Sequence, residues 1–62
     1  MRLAAAPLLT STQVAERLHV STATLCRWRQ RHEGPSWIKL GRVPRYRADD
    51  VEAFIERKRL DT

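Results

Sequence analysis

Two helix-start signals stand at Thr10 and Ser21, so close that only one short helix and a tight turn fit between them. Thr10-Ser11-Thr12-Gln13 has the form of a capping box. The Thr10 hydroxyl accepts from the backbone three residues on, and the Gln13 side chain reaches back to the Thr10 N–H. Leu9 and Val14 stand where a hydrophobic staple would. Val14, Ala15 and Leu18 make the expected buried stripe, while Glu16 and Arg17 face water. The helix should end near Leu18-His19, with Val20 packing across the turn. Glycine usually fills the turn position that His19 holds, and histidine tolerates a positive backbone angle better than most residues. A helix, a tight turn and a second helix from Thr22 therefore follow one another.

The second helix carries the chemistry. Leu25 and Trp28 are three apart and share one side, which anchors the helix to a core. Ala23, Cys26, Arg27 and Gln30 lie roughly opposite, with Arg31 beside them. Small residues allow close approach, and arginine and glutamine carry the fork-shaped donors that read guanine and adenine edges in the major groove. Alone, such a stretch fits a solvated amphipathic helix better. Its flanks decide between the two.

Gly34 and Pro35 are expected to stop this helix as a C-cap glycine and a following breaker. Trp37-Ile38-Lys39-Leu40 and Arg45-Tyr46-Arg47 then flank Gly41-Arg42-Val43-Pro44, a period-two pattern around a turn that predicts a β-hairpin. Its tip and outer face should carry Lys39, Arg42, Arg45 and Arg47, and Trp37 is read as packing rather than as a platform for bases. Asp49-Asp50-Val51-Glu52 predicts a third helix with Asp49 at the N-cap and Glu52, three later, completing a box-like start, and Val51, Phe54 and Ile55 form its core stripe. Arg57, Lys58 and Arg59 complement its negative end. Residues 1–7 show no periodicity and read as an arm, leaving 8–60 as a single domain.

Sixty-two residues carry a net charge of +5, and ten of the twelve cations are arginine. Seven cations lie between Arg27 and Arg47 against one acid, Glu33, which points to an anionic partner. A chain of this size buries only about 60% of its unfolded surface, so its core is thin. The single Cys26 forms no internal disulfide, and no cysteine or histidine spacing suits a metal. No apolar run is long enough to span a bilayer. Neither histidine has a catalytic partner in view, and no glycine-rich phosphate loop occurs, so neither an enzyme nor a cofactor is expected.

The order helix, turn, helix, basic hairpin, helix is more specific than its parts. With Leu9-Thr10, Val14-Ala15, Leu18, Val20-Ser21, Thr24-Leu25, Trp28, Gly34-Pro35, Lys39-Leu40-Gly41, Arg45-Tyr46-Arg47 and Asp50 to Ile55, the sequence resembles excisionase-type winged helix-turn-helix proteins, relatives of the mercury-resistance-regulator superfamily. The resemblance covers residues 8–56. It implies a mostly α fold with a two-stranded wing, in which the second helix enters the major groove and presents Thr22, Ala23, Cys26, Arg27 and Gln30 to bases. Arg42 and Arg45 of the wing would meet the adjacent minor groove or its phosphates. Arg29, Arg31, Lys39 and Arg47 would hold backbone, as would Ser11 and Thr12 at the amino end of the first helix.

The family also implies a biological role. Excisionases are non-catalytic proteins that bind tandem sites beside a phage attachment site, bend the duplex and turn an integrase toward excision. The expected partners are double-stranded DNA, the integrase and neighbouring copies of the chain, in the bacterial cytoplasm and away from membranes. Little of the chain is left beyond the DNA-binding unit, which favours this role over a small transcriptional regulator of mobile-element genes, the alternative.

Overall fold

The computed structural model describes residues 8–61, and the expected arm over residues 1–7 lies outside them. Along the chain come β1 (Leu8–Leu9), α1 (Ser11–Leu18), α2 (Thr22–Gln30), β2 (Ile38–Leu40), β3 (Val43–Arg47) and α3 (Ala48–Asp61). Both halves of the Thr10 box form. Gln13 N donates to Thr10 Oγ1 at 3.1 Å, and Thr10 N donates to Gln13 Oε1 at 2.9 Å. At the start of α2, Ser21 Oγ accepts from Thr24 N at 3.0 Å.

Both helices close the same way. His19 takes φ 58°, with Val20 N donating to Ala15 O at 2.9 Å and His19 N to Glu16 O at 3.3 Å. At the end of α2, His32 also takes φ 58°, with Glu33 N on Trp28 O at 2.7 Å and His32 N on Arg29 O at 3.3 Å. These paired bonds around a left-handed residue are Schellman motifs, and they satisfy carbonyls that the helix ends would otherwise orphan. The sequence pattern puts the stop of α2 on Gly34, but His32 is the left-handed residue. Gly34 answers a packing need instead: at φ 79°, a Cβ there would stand 2.6 Å from Trp28 Cε3.

Gly41 (φ 62°) and Arg42 alone form the hairpin turn. The expected four-residue turn is shorter by two because Val43 and Pro44 already belong to β3. Register pairs Leu40 with Val43, Lys39 with Pro44 and Ile38 with Arg45. Pro44 is tolerated because it neighbours the closing pair, where its missing N–H would point away from β2. On the other edge Leu8 pairs with Arg47 and Leu9 with Tyr46, so a third strand joins the two-stranded wing in the order β1-β3-β2. Two residues are too few to show a period, and that strand leaves no sequence signal.

α3 follows β3 without a loop. Asp49 is therefore not its N-cap, since Ala48 is already helical, and Asp49 and Asp50 complement the positive helix end from within the first turn. Glu52 makes no box. It takes a fork from Arg17, Nε to Oε2 at 3.1 Å and Nη2 to Oε1 at 3.0 Å, which links α1 to α3. Both groups are exposed, so the link contributes at most about 1 kcal/mol. The core beneath is Val14, Ala15, Leu25, Tyr46 and Val51, bordered by Leu9, Leu18, Val20, Trp28 and Ile55. Phe54 packs on Trp28 with ring centroids 5.7 Å apart.

Candidate nucleic-acid interface

Leu25 is fully buried, which sets the rotation of α2 about its axis. Thr22, Ala23, Cys26, Arg27 and Gln30 are consequently exposed, as the spacing requires. Ser21 and Thr24 share a hydroxyl contact at 3.0 Å, and Arg27 Nη2 donates to Thr24 Oγ1 at 3.1 Å. The N-cap thereby steadies the guanidinium without burying it. Gln30 Nε2 lies 3.9 Å from Cys26 Sγ on the same ridge. Arg31 is exposed at the carboxyl end of the helix.

Arg29 behaves differently. It is half-buried, and its Nη1 donates to Tyr46 OH at 2.7 Å and, at a longer 3.4 Å, to Ser11 Oγ. Its guanidinium carbon lies 5.6 Å from the centroid of the Trp37 ring, close enough for a cation–π contact. One cation thus ties α1, α2, β3 and the approach to the wing together. Ser11, expected with Thr12 as a phosphate contact, accepts from Arg29 through its Oγ and keeps its hydroxyl hydrogen to donate, while neighbouring Thr12 stays exposed. Trp37 lies on the surface beneath Arg29, not in the core.

Arg29, Trp37, Lys39, Arg42 and Pro44 line a cleft of about 230 Å³ between α2 and the wing. Three cations converge on it, and no acid lines it. The register divides the other wing arginines from these. Lys39 pairs with Pro44, whereas Arg45 pairs with Ile38 and Arg47 with Leu8, so Arg45 and Arg47 share the opposite face of the sheet. The expectation that Lys39, Arg45 and Arg47 share one outer face is corrected by this alternation. Counting back from a two-residue turn at Gly41-Arg42 would have separated them. Arg45 is also half-buried, its Nη1 donating to the Pro44 carbonyl at 2.9 Å.

Residues 8–59 match the helix-turn-helix domain family. The chain belongs to that family. It includes excisionase-like small DNA-binding proteins, in agreement with the resemblance carried by the motifs. No curated protein matches the chain. In this helix-turn-helix domain α1 and α2 are the paired helices, α2 is the recognition helix, and the hairpin β2–β3 is the wing. The family assignment supports sequence-specific DNA binding. Sequence reasoning missed the link from Arg29 to Tyr46, which joins positions with no pattern in common.

Proposed function

We propose that this protein is a non-catalytic excisionase: it binds tandem sites near an attachment site, bends the duplex and directs an integrase toward excision of a prophage or mobile element. The excisionase role is supported by the family, which includes excisionase-like proteins, and the observation that carries its DNA-binding part is the cleft where Arg29 of the recognition helix meets Lys39 and Arg42 of the wing. A phosphate strand lying in that cleft puts α2 in the major groove on one side and the wing in the minor groove on the other. Arg27 and Gln30 then read bases. Arg29, Lys39 and Arg42 hold the shared strand, with Arg31 and Thr12 at its margins, and Arg45 and Arg47 face the far strand. Neighbouring copies side by side on tandem sites, together with the integrase, complete the assembly in the bacterial cytoplasm. Among the described residues no helix is long and apolar enough to cross a membrane.

Footprinting on the DNA flanking its own gene, followed by an excision assay with the adjacent integrase, tests the proposal. The expected result is a tandem array beside the attachment core, with excision lost when the protein is omitted. A single site overlapping a promoter, with altered transcript and unchanged recombination, would make the protein a transcriptional regulator instead.

A further inference from the structure

The wing has two chemically different faces. Lys39 and Pro44 point toward the cleft shared with Arg29. Leu40 and Val43 point the other way as the directly paired residues that close the hairpin, and they remain 48% and 44% exposed. Arg42 stands between them at the tip. Aliphatic side chains at the exposed end of a hairpin gain nothing from water, and the core does not need them. No acid occurs from Gly34 to Ala48, so the whole wing is compatible with close approach to phosphates.

We infer that Leu40 and Val43 form an apolar wedge that packs against the deoxyribose wall of the minor groove and widens it. The inference rests on the DNA-binding reading above and adds to it a source of bending that is not electrostatic. Its geometry follows from the cleft. With Lys39 and Arg42 on the strand between the two grooves, the Leu40–Val43 face meets the strand across the minor groove, where Arg45 and Arg47 also point. A hairpin with side chains on both faces is roughly 10 Å thick, whereas an undistorted minor groove is about 6 Å wide. Entry of the wing past its tip therefore opens the groove, and the aliphatic pair covers the sugar surface that opening exposes. Apolar side chains entering the minor groove also bend DNA where they wedge between base steps, and opening the groove bends the duplex in the same sense, toward the major groove.

The test uses the full chain and a duplex bearing one site, with affinity measured over a range of salt concentrations and bending by gel phasing. The variant Leu40→Thr with Val43→Thr places β-branched residues, which favour strands, at half-exposed positions, and a thermal melt checks that it folds. The expected result is roughly tenfold weaker binding and a smaller bend. The slope of log K against log salt stays the same because no cation is removed. Val43→Thr alone, nearly isosteric, should shift affinity and bend in the same direction by less, and serves if the double variant melts early. Wild-type affinity and bend in that folded variant overturn the wedge while leaving DNA binding intact. A changed salt slope, or a loss seen only on duplexes with two sites, also overturns it, the latter by assigning the face to a protein contact. Wild-type protein without salt-dependent binding removes the DNA reading itself.

Discussion

At the scale of single residues, Arg27 and Gly34 are the two positions where chemistry and packing separate most cleanly. Arg27 is exposed and, among the described residues, bonds Thr24 alone, so its removal leaves the core untouched. Arg27→Ala is expected to cost about 1–3 kcal/mol on the specific site and much less on random DNA, measured by competition binding. Equal losses on both would make Arg27 a phosphate contact. Gly34 is the converse case. A methyl there meets a Trp28 ring that also packs on Phe54, in a backbone conformation that disfavours L side chains. Gly34→Ala should destabilise the fold by about 1–3 kcal/mol in a denaturant melt without changing the binding face. An unchanged midpoint would show that the Trp28 ring shifts at little cost. His19 takes the opposite sign. It pays for a left-handed conformation that glycine adopts freely, so His19→Gly should raise stability by about 1 kcal/mol. A lower midpoint would reveal a contact made by the imidazole.

At the scale of elements, what could be read in advance was what is local. The Thr10 box, the Ser21 cap, the His19 turn and the two faces of α2 all rest on bonds or rotations spanning a few residues, and the structure carries each of them. What could not be read joins distant positions. Arg17 to Glu52, Arg29 to Tyr46 and Leu8 to Arg47 depend on where the helices and sheet finally pack, and no period announces them. Even local rules misplace an element when two of them compete. Gly34 looked like the helix stop, yet a histidine two residues earlier closes the Schellman motif, and the glycine is needed where the loop passes Trp28. The wing shows the same competition: Pro44 reads as turn, but pairing places it inside β3 and thereby sorts the arginines between two faces. Tyr46→Phe probes the tie between these elements. Losing the 2.7 Å bond should cost about 1–2 kcal/mol of stability and leave Arg29 less fixed above Trp37. A melt identical to wild type would mean that water replaces the phenol.

At the scale of the whole molecule, the charges are unevenly placed. Cations line the cleft between α2 and the wing, whereas Asp49, Asp50 and Glu52 open α3, where Glu52 answers Arg17. Core packing alone does not require that distribution, and a duplex spanning two grooves gives it a purpose. Lys39→Ala should accordingly weaken binding to all sequences alike and reduce the salt slope by about 1. The central claim is that α2 and the wing occupy neighbouring grooves of one duplex. Dimethyl sulfate interference reads both grooves at once, because it methylates guanine N7 in the major groove and adenine N3 in the minor groove. For one copy on one site, interference should fall on guanines in one major groove and on adenines about half a turn, or about 5 bp, away in the adjoining minor groove of the same face. Interference confined to one groove, or split between opposite faces of the duplex, would contradict the account.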